Sequence, residues 1–266
     1  MAGFLSPYLK LYDEGLPVKP VYLLLPVIIL ILAASALHVQ TGSVQVPDQG
    51  ARSAPSFLPS LPVISSHQGD PDDTARKIAR SADFSNPVVT KFVETHTAPA
   101  GGMNTISQVC DLWDAITSHW RYVPDPPEGN QYQPASESVS DGLAGNCLDY
   151  AILNAAVIST LGGESRVITA YDAGGNGHAY PEVYLGNSAD EIQTIGAYLN
   201  SRYNTTAIFW HTTVGPDGRN YYWLNLDWQA RYPGGPLFVD NGTYYAHSVS
   251  GTSEKYTDSG YPAGTP

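Results

Sequence analysis

The amino-acid sequence predicts a chain of the α+β class with an N-terminal transmembrane helix. Three observations carry that prediction. Apolar residues recur at helical spacing in the middle of the chain, and strand-like runs with period-two alternation follow from Arg166 onward. Between them, GNCLDYAILNAAVISTLGG (Gly145–Gly163) is apolar nearly all round a helix, the pattern of a buried element. Near the N-terminus, VYLLLPVIILILAASAL (Val21–Leu37) runs seventeen residues without a charge, at the short end of a membrane-spanning helix.

Pro26 is tolerated near the end of such a span. Lys10 and Lys19 precede it and few basic residues follow it closely, so the N-terminus is expected to stay cytoplasmic. Ala34-Ser35-Ala36 also offers a small-x-small site, which makes a cleavable signal peptide the competing reading. The apolar run is longer than a usual signal core and the residues before it are mixed in charge, which favours an uncleaved anchor. Either way the bulk of the chain is expected outside the cytoplasm, as a single-pass membrane protein in the first case. Residues 1–38 are thus read as stub and anchor. Residues 39–71 carry Pro47, Pro55, Pro59, Pro62 and Pro71 among Ser, Gly and Gln, without periodicity, and read as a linker.

Residues 72–246 are expected to form the domain. Asp72-Asp73 open a helix through TARKIARSADF, and Val88–Thr95 extends or follows it. Asn104–Trp120 is a stronger helix: Ile106, Val109, Cys110, Trp113 and Ile116 fall at helical spacing, with Asn104 as the cap. RYVPDPPEGN ends it in a proline-rich turn. Gly145-Asn146 supply a turn and cap for the apolar helix, and Gly162-Gly163 its stop. Three strands follow, Arg166–Tyr171, His178–Leu185 and Tyr221–Trp228. An insertion of about 186–220 separates the last two, with a helix over Asp190–Arg202 and a strand over Thr206–Thr212. From His247 the chain is low in apolar residues, so 247–266 is expected to be a flexible tail. Asn204-Thr-Thr and Asn241-Gly-Thr are N-glycosylation sequons, meaningful only in an exported domain.

The formal net charge is −12. Lys10 and Lys19 cancel Asp13 and Glu14, so the whole excess lies beyond the anchor. An acidic domain repels phosphate backbones, and nucleic acid is not an expected partner. Two cysteines make no disulfide framework, though a single Cys110–Cys147 bridge stays open.

Cys147 stands at the start of the apolar helix, where the partial positive charge of the helix terminus favours thiolate over thiol. A lone cysteine is more often a small buried hydrophobe, so the case for reactivity rests on partners. The HAYPEVYL strand sets His178, Tyr180, Glu182 and Tyr184 on one face, with His178 at its mouth. In YYWLNLDW, Trp223, Asn225 and Asp227 share a face, so a carboxylate is available to an imidazole. Singly, His178 and Asp227 would be ordinary residues, but cysteine on a helix start followed by histidine and aspartate on strands is an order harder to dismiss.

GNCLDYAIL resembles the nucleophile motif of the transglutaminase-like superfamily. GHAYPEVYL looks like that family's histidine strand, and WLNLDW is similar to its aspartate strand. WRYVPDP and SESVSDGLAGN resemble its lead-in, and the likeness covers about Ile106–Trp228. The resemblance implies a papain-like core in which the nucleophile helix packs on an antiparallel sheet. It implies Cys147 as nucleophile, His178 as general base and acid, and Asp227 as the group orienting the imidazole. Asp149 matches the family's acid after the cysteine and is expected to hold the turn; Asn146, Tyr180 and Glu182 are expected to support the site. Family members carry out acyl transfer at amide groups, as peptidases, amidases or cross-linkers, so a peptide or protein substrate and no cofactor are implied. The long connection between histidine and aspartate departs from the pattern, and brings His211 near the site in sequence as a competing imidazole. Of the oxyanion donors, the Cys147 N–H is the natural one, with Asn146 and Tyr132 as further candidates.

Two other functions compete. A catalytically inactive module could keep this fold and bind peptide or glycan in the same groove. A metal site would draw on Cys147, His178, His211 or Asp227, but zinc favours local ligand pairs and none exists, so no metal is expected.

Overall fold

Asp70 caps the first described helix by accepting the N–H of Asp72 at 3.1 Å, and Pro71 enters the first turn with its φ already set. The structure, a computed structural model, describes residues 70–97, 105–126, 131–215, 217–236, 243–257 and 263–264. The expected anchor Val21–Leu37, the linker up to 69 and Asn241 lie outside the described residues. Among the described residues no helix is long and apolar enough to cross a membrane.

Helix α1 (Pro71–Ser81) is followed by α2 (Pro87–His96), a separate helix, because Asn86 caps it and Pro87 sits at its first position. Helix α3 (Ile106–Thr117) has Thr105 as its cap, in a reciprocal box with Gln108; the expected cap, Asn104, lies outside the described residues. Short strands β1 (Arg121–Tyr122) and β2 (Ala144–Gly145) pair in parallel across α4 (Ala135–Ser140). Helix α5 (Cys147–Thr160) has every residue from Cys147 to Ile158 buried, as its all-round apolar pattern requires.

The remaining strands are β3 (Ser165–Tyr171), β4 (Gly177–Gly186), β5 (Ile208–Val214), β6 (Asn220–Asn225), β7 (Thr243–Ser248), β8 (Ser253–Thr257) and β9 (Ala263–Gly264). They form one sheet of seven strands in the order β8-β7-β3-β4-β6-β5-β9. Every neighbouring pair is antiparallel, and the sheet curls into a half-barrel. Alternation along β3 and β4 separates two layers. Val167, Ala179, Val183 and Leu185 join the α5 side chains in the main core. Ile168, Ala170 and Tyr180 fall on the other face, where they meet Tyr244 and Ala246. Each fully buried Ile or Leu of α5 contributes about 1.5–3 kcal/mol, so the element that carries Cys147 is anchored along its whole length.

The structure departs from expectation in two places. Residues 247–257 are not a flexible tail but the end of β7, which pairs with β3, and β8, which pairs with β7. An edge hairpin needs few apolar residues, here Tyr244 and Ala246, and low apolar content concealed it. Strand β6 ends at Asn225, two residues short of Asp227, which instead caps a 3-10 turn over Trp228–Ala230.

The insertion forms helix α6 (Ala189–Tyr203) and β5. Arg202 of α6 pairs with Asp111 at 2.8 Å and Asp114 at 2.6 Å on α3, and Ile192, Ile195 and Leu199 enter the main core. Asn204 ends α6 in a left-handed conformation and is exposed.

Candidate active site

The turn that carries Cys147 is built by a reciprocal cap. Asn146 Oδ1 accepts the N–H groups of Leu148 at 2.7 Å and Asp149 at 3.2 Å. Asp149 Oδ2 in return accepts the Asn146 N–H at 2.9 Å, and its Oδ1 accepts the Gln133 N–H at 3.0 Å. These bonds draw the Asp149 side chain so close that a Cβ at position 145 would stand 2.6 Å from Asp149 Cβ, which is why glycine precedes the turn. Burial pushes the Asp149 carboxyl up, opposed by the two backbone N–H groups it accepts. The cap leaves the Cys147 N–H uncommitted at the helix start, pointing along the helix dipole.

His178 opens β4 and reaches two partners. Its Nε2 lies 2.9 Å from Asp227 Oδ2, and the Cys147 thiol acts electrostatically on the same imidazole. Cys147, His178 and Asp227 are 3%, 3% and 1% exposed. In so dry a setting charge pairing is strong. Burial alone would push the His178 imidazolium down. The Asp227 carboxylate, by charge and hydrogen bond, and then Cys147 outweigh it and push it up to about 10. A histidine held protonated between an aspartate and a cysteine is suited to an imidazolium–thiolate pair.

Asp227 is itself held from several sides. The Leu226 N–H donates to the Pro181 carbonyl at 3.0 Å, keeping the strand end on β4. The Leu226 carbonyl accepts from Trp113 Nε1 at 2.9 Å and from the Tyr150 hydroxyl at 3.4 Å. Asp227 Oδ1 accepts the Gln229 N–H at 3.0 Å, so only Oδ2 faces the imidazole. Trp228 then stacks on Tyr122 with centroids 6.1 Å apart.

The structure thus brings Cys147, His178 and Asp227 together, with Asn146 and Asp149 shaping the turn beneath the thiol. It separates the other candidates from them. Glu182 is wholly buried and binds Arg166 Nε at 2.8 Å and Nη2 at 2.6 Å. His211 joins that cluster, its Nδ1 2.6 Å from Arg166 Nη2, and does not compete for Cys147. Charge from Arg166, then His211, overcomes burial and holds the Glu182 carboxyl below its usual range. Tyr180 packs in the second apolar layer, its ring 6.1 Å from that of His178. Asn146 spends its side-chain oxygen on the cap. Tyr132 faces Lys77 and lines a groove of about 360 Å3 with Asp125, Gln133, Gly145 and Asp149. Both cysteines are free, which removes the Cys110–Cys147 bridge. Burial pushes the Cys110 thiol up to about 12, against a hydrogen bond from Tyr203. Among the described residues no group of three or more His, Cys, Asp or Glu is arranged to hold a metal ion. Sequence reasoning missed Trp113, Tyr150 and Asn225; only Asn225, two residues before Asp227, carried a local signal.

Comparison with known proteins finds two likenesses. Residues 91–207 match the family model of the transglutaminase-like superfamily. The match takes in Cys147 and His178 and ends before Asp227. Among solved structures, the chain is similar to the crystal structure of a "Putative Cysteine Protease from Cytophaga hutchinsonii", at 22% identity and a TM-score of 0.33. That likeness covers 47% of this chain and 42% of the other, so this chain spans less than half the length of that structure. No curated protein matches. Residues 91–207, which include Cys147 and His178, are thus similar to the transglutaminase-like superfamily.

Proposed function

We propose that the chain is a membrane-tethered, extracytoplasmic thiol enzyme that transfers acyl groups from amide bonds of a peptide or protein substrate. The observation that carries this reading is the His178 imidazole held between Asp227 and Cys147. The tether rests on the uncharged run Val21–Leu37 and the lysines before it.

In the proposed reaction the Cys147 thiolate attacks the amide carbonyl carbon and forms a tetrahedral oxyanion. The Cys147 N–H donates to that oxygen. The His178 imidazolium gives its proton to the departing amine as the C–N bond breaks, leaving an acyl thioester and a neutral imidazole. Water or an amine then attacks the thioester while His178 takes its proton, and the thiolate returns. Asp227 holds the imidazole throughout and stabilises its positive charge whenever it is protonated.

Alkylation of the folded chain with iodoacetamide, followed by mapping of the adduct, tests the reading. Fast labelling at Cys147 that slows in His178→Ala supports an ion-paired nucleophile. Equal, slow labelling of both proteins would instead favour the inactive binding module. Peptide cleavage set beside incorporation of a labelled amine then separates hydrolysis from amine transfer.

A further inference from the structure

Asn225 is the last residue of β6, 1% exposed, and belongs to neither the nucleophile turn nor the histidine strand. Its side chain makes bonds in two directions. Oδ1 accepts the Asp227 N–H at 2.9 Å, an Asx turn in which a side-chain oxygen takes the place of a backbone acceptor. Nδ2 donates to the carbonyls of Gly235 at 3.1 Å and Pro236 at 3.4 Å. The Asn225 carbonyl accepts the Gly234 N–H at 2.6 Å. One residue therefore joins the start and the finish of the loop that carries Asp227.

The loop between those ends is tightly closed. Ala230 N–H donates to the Asp227 carbonyl at 3.1 Å, and Gly235 N–H to the Tyr232 carbonyl at 2.9 Å. A Cβ at Gly235 would strike the Ala230 carbonyl, and one at Gly234 would stand 2.6 Å from Ile208 Cγ2. A loop packed this closely transmits the position of its ends to its contents. The Asn225 bond also turns the chain out of β6, because it takes the Asp227 N–H away from further pairing with β4. Asp227 can then aim Oδ2 at His178 while Oδ1 caps the 3-10 turn.

We propose that Asn225 is a positioning residue for the thiol chemistry, clamping the loop so that the Asp227 carboxylate meets His178 Nε2. It touches neither substrate nor reacting atoms and acts through Asp227. This rests on the thiol-enzyme reading above.

The test is the pH profile of Cys147 alkylation by iodoacetamide, with near-ultraviolet circular dichroism as the check on folding, in the whole chain. Asn225→Ala removes both arms of the clamp. It is expected to slow alkylation about tenfold near neutral pH and to move the alkaline limb of the profile down by about one unit, the direction Asp227→Asn gives. Asn225→Ser keeps a side-chain oxygen able to accept the N–H two residues on, and is expected to stay within about threefold of wild type with the limb unmoved. An Asn225→Ala protein that melts lower but keeps the wild-type profile would overturn the proposal and leave Asn225 a purely structural residue. If Asn225→Ala does not fold, Asn225→Ser decides: a limb displaced as far as in Asp227→Asn overturns the proposal. A wild-type profile identical to that of His178→Ala marks a different failure, that of the thiol-enzyme reading, and the proposal falls with it.

Discussion

The Trp113 indole N–H donates to the Leu226 carbonyl at 2.9 Å, across 113 residues of chain. This bond ties α3 to the strand end that presents Asp227. Trp113→Phe keeps an aromatic ring, though a smaller one, and deletes the donor, leaving the buried carbonyl with the longer bond from Tyr150. The expected cost is about 1–3 kcal/mol in urea unfolding, with slower alkylation at Cys147. Unchanged unfolding would mean that another group satisfies Leu226.

The pH dependence of stability has a defined sign at His178. Its folded-state value is raised from 6.5 to about 10, with Asp227 outweighing burial. A raised base contributes stability fully present below 6.5 and lost as pH rises through about 10. Asp227→Asn should therefore lower the melting temperature more at about pH 6 than at about pH 11. A deficit independent of pH would show that the pair carries no differential charge.

His247 has the opposite sign. Burial alone pushes its imidazole down to about 4, and its Nε2 meets Thr169 Oγ1 at 3.0 Å. Below 6.5 the unfolded chain binds a proton that the folded chain refuses, so stability should fall as pH drops from 6.5 to about 4. His247→Phe should flatten that acid slope in urea midpoints measured across the range.

Glu182 and Arg166 form a buried pair, 0% and 6% exposed at the side chain. Glu182→Gln leaves the guanidinium buried without its counter-charge and is expected to cost about 3–5 kcal/mol. Replacing both residues by apolar ones of similar volume should recover much of that loss. A double variant no more stable than the single one would argue that His211 and Trp223 need the guanidinium for themselves.

What the sequence disclosed and what it hid follow one physical division. The turn before Cys147 was legible because its determinants are local: glycine, a capping asparagine and an aspartate three residues on all act within one helical turn. His178 was legible from period-two alternation, and β3, β4 and α6 fall within a residue or two of expectation. Asp227 was found in sequence but assigned to a strand it has just left, since the Asn225 bond that ends the strand depends on a loop closing behind it. Glu182 and His211 were misassigned for a related reason. Both stand beside the motif in sequence, while the registers Arg166↔Glu182 and His211↔Trp223 decide their partners. The β7–β8 hairpin left almost no mark, because strand β3 supplies much of what holds it.

The imidazole and its carboxylate are 49 residues apart in the chain, and α6, β5 and β6 all lie in that interval. Closing so large a loop comes at a high entropic cost, recovered only when the long-range strand pairings form. The thiol itself sits on a helix whose cap can assemble early, from neighbours alone. A newly made chain would thus display its cysteine well before it acquires a partner for it. Under the proposed reading, that thiol would gain its reactivity only with the last stage of tertiary closure, which would make it a clock for the end of folding.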